Sequence, residues 1–233
     1  MDAQSYGSKN DRAQSETQHD LPRLLDRAAR SAGLNRSEWH IQPKGDEQLA
    51  VLPASGDEPR LVDDYFRHLA SELRHYNGQR TPAARMRLRA AVHHGLVELA
   101  DNGFAGTAVV VTARLLNSRP LYDALAGHPM ADLAVVLSDE VFRSVVAGGH
   151  TTLLPSDFSR VTVKEKEYES AAWLTVPTIG APAANEEARD SSPRPAGGTS
   201  VHNDNHAQQL SVTNMTGSVD ARGAVFGFGN ASA

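Results

Sequence analysis

The stretch Asn102-Gly-Phe-Ala-Gly-Thr-Ala-Val-Val-Val-Thr-Ala-Arg114 joins a glycine turn to an apolar helix that carries a single arginine. Far upstream, Lys44-Gly45-Asp46 places an acidic residue in a tight turn between two apolar segments. Carboxylate oxygens are good ligands for divalent cations, and the planar guanidinium of arginine suits phosphate oxygens. The two motifs together predict a place for a metal ion and a polyphosphate.

The segments around these motifs alternate between helical and strand periods. Helices are predicted from after Asn10 to Gly33 and, by apolar spacing, from Leu61 to Tyr76. Strands are predicted beside the Gly45-Asp46 turn and at 86–92, 133–137, 161–166 and 171–176, with shorter helices at 109–116, 121–126 and 140–147. Arginines alternate with apolar residues in the 86–92 segment, which predicts one solvent-facing side. The pattern predicts a mixed α/β layered fold in which helices flank a central sheet.

The chain divides into three parts by composition. Residues 1–177 carry the apolar periodicity and are predicted to form one domain. Residues 178–206 are rich in Ala, Pro, Gly, Ser, Asn and acidic residues. Such a segment buries too little apolar surface to offset its ordering entropy, so a disordered linker is predicted. Residues 207–233 combine short apolar groups with glycines, which predicts a β-prone tail.

Overall composition narrows the class of protein. A net charge of −5 over 233 residues argues against a nucleic-acid binder, which needs a basic face. The absence of cysteine excludes disulfides, thiolate metal sites and cysteine nucleophiles. The sequence has no apolar run near the roughly 20 residues that span a bilayer, and its polar N-terminus lacks the apolar core of a signal peptide. A cytoplasmic protein without membrane partners is predicted.

The motifs of residues 1–176 resemble those of the class III nucleotide cyclase catalytic domain, most closely its actinobacterial versions. Asp2-Ala-Gln-Ser5-Tyr6-Gly7 is similar to the aspartate and turn that end the family's first strand. Gly45-Asp46 is similar to the hairpin that carries the family's second metal-binding aspartate. Gly106 and Arg114 are similar to the glycine turn and the arginine of its transition-state helix. The resemblance implies a ferredoxin-type mixed sheet with flanking helices.

The resemblance also implies roles for these residues. Asp2 and Asp46 would hold Mg²⁺ or Mn²⁺, which activates the ribose 3′-hydroxyl and neutralises the α-phosphate of a nucleoside triphosphate. Arg114 would stabilise the charge that develops on that phosphate. The turn residues would surround the nucleotide; they are Ser5, Tyr6, Gly7, Gly45 and Gly106. Because each site in the family forms between two chains, a homodimer is implied in which Asp2 and Asp46 face the partner's Arg114.

Four departures from the family pattern argue against ordinary catalysis. Val110 stands where the family has the asparagine that orients the ribose, and its side chain cannot hydrogen-bond. Losing such a preorganised donor costs a few kcal/mol of transition-state stabilisation. Gln42 and Gly103 stand at the two base-reading positions, so purine discrimination in the usual manner is not expected. Asp2 is preceded by almost no strand.

Three hypotheses follow for the function. The first is a degenerate cyclase-like signalling domain that binds a nucleoside triphosphate. The second is an active, metal-dependent cyclase of altered base preference, and the third is a non-enzymatic protein-interaction module. The 207–233 tail resembles the terminal amyloid-like signalling motifs of bacterial defence proteins, which implies an effector protein as partner; a glycine-rich disordered tail is the alternative.

Overall fold

A computed structural model describes residues 1–101 and 103–177. The predicted linker and tail, residues 178–233, lie outside the described residues, as does Asn102. None of the helices in the described ranges combines the length and the hydrophobicity needed to cross a membrane.

The described chain alternates helices with strands. The helices are α1 (Asp11–Ser31), α2 (Glu58–Arg60), α3 (Phe66–Asn77), α4 (Thr107–Leu116), α5 (Arg119–Gly127) and α6 (Asp139–Val141). Two π-helical turns continue α2 and α6, at Leu61–Tyr65 and Phe142–Val146. The strands are β1 (Asp2–Ala3), β2 (His40–Lys44), β3 (Glu47–Val51), β4 (Leu88–Val92), β5 (Glu98–Ala100), β6 (Gly103–Ala105), β7 (Leu133–Ser138), β8 (Ser159–Glu165) and β9 (Tyr168–Thr175).

The central sheet has five strands in the order β1-β4-β7-β9-β8. Strands β4 and β7 are parallel, and every other neighbouring pair is antiparallel. The hairpins β2–β3 and β5–β6 form two separate ribbons. A mixed sheet with flanking helices confirms the predicted α/β fold.

Strand β1 is two residues long but is held on both sides. Asp2 and Ala3 pair with Arg89 and Leu88 of β4. On the other side, Met1 exchanges two backbone hydrogen bonds with Gln48 of β3, with N···O distances of 3.0 and 2.9 Å. The β2–β3 hairpin therefore lies next to the strand that carries Asp2.

The sheet is covered on both faces, which explains the nearly continuous apolar run of β7. Leu133, Val135 and Leu137 pack with the buried residues of α1 and α3. Ala134 and Val136 point the other way, into a second cluster built from the leucines of α4 and α5. A strand buried on both sides needs apolar residues at every position rather than at alternate ones.

The predicted solvent-facing side of the 86–92 segment is wrong. Leu88 and Ala90 are buried among the residues of α1 and α3, and Arg89, which points to the opposite face, is only 5% exposed. The ring of Tyr122 in α5 covers its guanidinium at 3.5 Å. Alternation along a strand shows that the two faces differ in polarity, but it does not show whether a helix covers the polar face.

Asn77 at the end of α3 is a buried polar residue that joins the helix to the sheet. Its side chain accepts from the backbone N–H of Met86 and donates to the carbonyl of Met86, both at 2.8 Å. It also donates to Asp132 Oδ1 at 2.8 Å. Removing it leaves buried backbone groups without partners, and each such group costs about 1–3 kcal/mol.

We therefore expect Asn77→Ala to lower the free energy of unfolding by about 2–4 kcal/mol. Urea denaturation followed by circular dichroism measures this change. Asn117→Ala is the matched control, because Asn117 is an exposed asparagine at the end of another helix. Equal effects of the two substitutions would contradict the role given to Asn77.

Candidate functional site

Asp2 is tied to Arg89 by a bidentate ion pair. Asp2 Oδ1 accepts from Arg89 Nε at 3.0 Å, and Oδ2 accepts from Nη2 at 2.5 Å. The side chains are 14% and 6% exposed, respectively. Both oxygens of the carboxylate are thus engaged by a cation of the same chain.

Burial also changes the proton affinity of this carboxylate. Desolvation raises the pKa of Asp2 above its usual value, although Arg89 beside it favours the charged form and opposes the rise. The nearby negative charge of Asp46 adds to the rise, so the two predicted metal ligands lie close enough to interact. The turn that carries Asp46 therefore lies in the same region of the structure as Asp2.

Asp46 lies in the two-residue turn between β2 and β3. Lys44 pairs with Glu47, and Gly45 takes the first turn position with φ of 64°, a backbone conformation that favours glycine. Lys9 is a partly buried residue within range of the charge of Asp46. Burial lowers the pKa of Lys9, and the negative charge of Asp46 opposes this effect. Lys9 Nζ is anchored to Thr17 Oγ1 at 3.1 Å. A lysine therefore lies within range of the charge of Asp46.

The residues after β1 form a compact turn. Ser5 adopts a left-handed conformation with φ of 59°, and a single 3₁₀ turn follows at Tyr6–Ser8. Gly7 lies in the middle of that turn. The turn thus leads from Asp2 to Lys9 and into α1, so the predicted nucleotide-binding residues Ser5, Tyr6 and Gly7 occupy the same region as the aspartates.

The two predicted base-reading positions are in contact. A Cβ built on Gly103 would lie 2.5 Å from Gln42 Nε2, so the Gln42 amide lies directly against the β5–β6 hairpin. Beside them, His40 and Phe104 make an edge-to-face ring contact at 6.3 Å. The side-chain amide of Gln42 is exposed and offers both a donor and an acceptor.

Gly106 is required by the start of α4. It has φ of 123°, and a Cβ there would lie 2.9 Å from the carbonyl oxygen of Leu96. The glycine turn predicted before this helix is therefore present. A larger residue would have to displace the backbone that leads into β5.

Helix α4 presents Val110 and Arg114 one turn apart. Val110 is 48% exposed. Arg114 donates to Glu167 Oε1 at 2.9 Å, and its buried Nε has no hydrogen-bond partner among the described residues. Glu167 lies in the turn between β8 and β9, at the opposite end of the strand order from β1. Within one chain, the structure does not bring Arg114 to Asp2 and Asp46.

The carboxylates as arranged do not fit a two-metal centre. A divalent cation at Asp2 would compete with the Arg89 guanidinium for the carboxylate. Within residues 1–101 and 103–177, no group of three or more His, Asp or Glu side chains could hold a metal ion. The roles of Asp2 and Asp46 as metal ligands stay predictions.

Sequence patterns do not predict the positions of two residues in this region. Alternation in the 86–92 segment places Arg89 on a solvent-facing side, and no motif includes Lys9. Buried strand arginines need an acidic partner, so the alternation of arginine with apolar residues in β4 could have prompted a search for one. Asp2 is 87 residues away in sequence, and no local pattern links it to Arg89.

Comparisons with known proteins do not identify a relative. The chain matches no protein-family model, no curated protein and no solved structure.

His93, directly after β4, is a partly buried titratable group near this edge of the sheet. Burial lowers the pKa of His93 below its usual value of 6.5, against the opposing charge of Glu140. The folded state thus favours the neutral ring. The stability that comes from keeping the ring neutral is fully present above 6.5, the pKa of the unfolded state. It is lost as the pH falls from 6.5 through the lower pKa of the folded state.

We therefore expect acidification from about pH 7.5 to about pH 5.5 to destabilise the protein, and His93→Gln to reduce that loss. Thermal denaturation at several pH values measures the slope. His94→Gln is the control, because the adjacent histidine is exposed. An unchanged slope in the His93 variant would exclude this group as the source.

Proposed function

We propose that residues 1–177 form a divergent cyclase-like domain that binds a nucleoside triphosphate without cyclising it. The observation that carries this proposal is the bidentate ion pair between Asp2 and Arg89. It engages one of the two aspartates to which the resemblance assigns a metal ion. Binding with loss of turnover is the function that this combination supports best.

The loss of turnover follows from charge and hydrogen bonding. Cyclisation needs an activated ribose hydroxyl and a stabilised negative charge on the α-phosphate. Arg89 already neutralises Asp2, so this carboxylate is not free to assist that activation. Val110 cannot donate or accept a hydrogen bond where the family orients the ribose.

Binding has support from three groups of this chain. Lys9 supplies a positive charge beside Asp46, where phosphate oxygens would lie. The amide of Gln42, held against Gly103, can pair with the edge of a base. Arg114 carries a partly buried guanidinium that suits phosphate oxygens.

A homodimer would bring these groups into one site. Arg114 lies beside the β8–β9 turn and Asp2 lies on β1, at opposite ends of the sheet order. A second copy can place its Arg114 against Asp2 and Asp46, as in the family. Exposed apolar side chains near the hairpins and α4 support such a contact: Leu96 is 93%, Leu99 77% and Val110 48% exposed.

The binding test uses the full-length protein with each of the four common nucleoside triphosphates. Melting temperature is measured with Mn²⁺ and with EDTA, and cyclic products are sought by mass spectrometry. We expect one nucleotide to raise the melting temperature in both conditions, without a cyclic product. A metal-dependent cyclic nucleotide would instead establish an active cyclase, and no thermal response would leave a protein-interaction module.

We expect Arg114→Ala to weaken nucleotide binding at least about tenfold, since a charge-assisted hydrogen bond contributes about 1.5–3 kcal/mol. Calorimetric titration of the purified variant measures this change. Arg119→Ala is the matched control, because Arg119 is an exposed arginine at the start of the next helix. Equal affinities of the two variants would remove Arg114 from the proposed site.

We propose that the signal is passed on by residues 207–233, which lie outside the described residues. The tail would bind an effector protein that carries a similar motif. A peptide of this sequence is expected to form thioflavin-binding fibrils, and a peptide that stays soluble at high concentration would contradict the assignment.

A further inference from the structure

The central sheet ends on one side at a long strand with a free edge. Strand β8 is the last in the order β1-β4-β7-β9-β8, and within residues 1–101 and 103–177 it pairs with β9 alone. Its seven residues pair in unbroken register, without a bulge, and none of them is proline. The backbone N–H and C=O groups on its outer side are therefore available to a further strand.

Packing on one face fixes β8 in place. Val163 is 0% exposed and Val161 is partly buried, and both pack with the leucines of α4 and α5. Since alternate residues of a strand point to opposite faces, Arg160, Thr162 and Lys164 lie on the other face, where all three are exposed. The strand is thus held firmly while its outer edge stays open.

The exposed face of β8 carries two positive charges. Lys164 is 74% exposed and pairs with Glu169, its neighbour on β9, at 3.2 Å. Arg160 lies opposite Trp173 and has neither an ion-pair nor a hydrogen-bond partner among the described residues. A strand added at this edge would place two of its residues, four apart, opposite Arg160 and Lys164. Carboxylates at those two positions would pair with Arg160 and continue the alternation of charge from Glu169 to Lys164.

A second copy of the chain fits this edge less well. Two antiparallel β8 strands related by a two-fold axis place residues of the same face opposite one another. In the register that pairs all seven residues, Arg160 of each copy would lie opposite the partner's Lys164. Like charges directly opposite each other are destabilising. The charges of β8 therefore favour an acidic strand over a copy of itself.

We propose that the outer edge of β8 binds an extended acidic segment of another protein, which adds to the sheet as a sixth strand. Backbone hydrogen bonds hold the segment, and two of its carboxylates, four residues apart, face Arg160 and Lys164. The edge lies at the opposite end of the strand order from β1, so this binding does not depend on the proposed nucleotide site.

The test uses a peptide with blocked ends, Thr-Glu-Val-Thr-Val-Glu-Val, whose glutamates are four residues apart in either direction of binding. A second peptide has lysine in place of both glutamates. Each is titrated calorimetrically into the full-length protein. We expect the glutamate peptide to bind about tenfold more tightly, because two cross-strand pairs change from opposite to like charge in the lysine peptide. Equal affinities, or no binding of the glutamate peptide, would overturn the proposal.

Charge reversal locates the peptide. The double variant Arg160→Glu with Lys164→Glu is expected to prefer the lysine peptide. Arg12→Glu with Arg119→Glu is the matched control, because these arginines are 89% and 84% exposed on helices, and it should keep the original preference. If the β8 variant also keeps it, the peptide binds elsewhere and the assignment to β8 is wrong. Circular dichroism confirms that each variant is folded.

Methylation of the peptide backbone tests whether it binds as a strand. Alternate N–H groups of an added strand point toward β8, and the others point to solvent. Two forms of the glutamate peptide, N-methylated on one set or on the other, should therefore differ, one of them losing binding. Equal affinities of the two forms would refute strand addition.

Sedimentation checks the second copy as the occupant. Without peptide, the unaltered protein and the β8 double variant are expected to have the same oligomeric state. A difference between them would assign the edge to a contact between copies and overturn the proposal.

Discussion

Arg89→Met is expected to lower the free energy of unfolding by about 3–5 kcal/mol, the usual cost of removing one partner from a buried ion pair. The variant leaves the carboxylate of Asp2 buried without its ion-pair partner and removes the guanidinium that stacks on Tyr122. Urea denaturation followed by circular dichroism measures the change. Such a loss is a large share of the about 5–15 kcal/mol by which an ordinary domain is stable.

Two further variants separate the ion pair from general disruption of the strand. In the double variant Asp2→Leu with Arg89→Met, most of the loss should be recovered, because no uncompensated charge stays buried. Arg160→Met is the control, since Arg160 is an exposed arginine of β8. If the double variant is as unstable as the sum of its single substitutions, the pair does not couple the two strands.

The variant Arg89→Met also tests whether Arg89 controls the access of a cation to Asp2. With Arg89 gone, both oxygens of Asp2 become available to a cation. Mn²⁺ is therefore expected to raise the melting temperature of Arg89→Met more than that of the unaltered protein. An equal response in the two proteins would show that Arg89 does not control access to Asp2.

The second large effect is expected for Phe142→Ala. This substitution should lower the free energy of unfolding by about 3–5 kcal/mol, the cost of truncating a fully packed aromatic residue. Phe142 is 3% exposed and stacks on Trp173 with centroids 3.7 Å apart and an interplanar angle of 7°. It also meets the edge of Phe158 at 5.5 Å. Denaturation followed by tryptophan fluorescence reports both the stability and the environment of Trp173.

Phe104→Ala is the comparison for this substitution. Phe104 lies half-buried on the β5–β6 hairpin, with a ring contact to His40. A half-exposed aromatic residue loses less apolar burial, so a loss of about 1 kcal/mol is expected. If the two alanine variants were equally stable, Phe142 would not be the centre of packing between the second π-helical turn and β9.

The periodicity of the sequence was enough to predict most secondary structure. The apolar spacing between Leu61 and Tyr76 corresponds to the π-helical turn and α3, and the run at 133–137 corresponds to β7. The turn at Gly45-Asp46 forms the predicted hairpin. These features depend on residues close in sequence, where the period of 2 or 3.6 determines which side chains share a face.

The environment of the site was less predictable. Alternation along the strand predicts a solvent-facing position for Arg89, because it reveals the polarity of a face but not the helix that covers it. The π-helical turn at Asp63 also has no signal in the apolar spacing, since the residues on either side continue a helical pattern. Both features depend on packing between distant elements.

By itself, the sequence determined the α/β class, the hairpin that carries Asp46 and the glycine turn before α4, because each depends on backbone preferences within a few residues. Only the tertiary structure decided that Arg89 engages Asp2, that Gln42 lies against Gly103 and that Arg114 is far from both aspartates in the strand order. Strand order and helix placement bring these residues together or separate them. Whether a charge is buried, and with which partner, is determined by those long-range contacts and not by its neighbours in the chain.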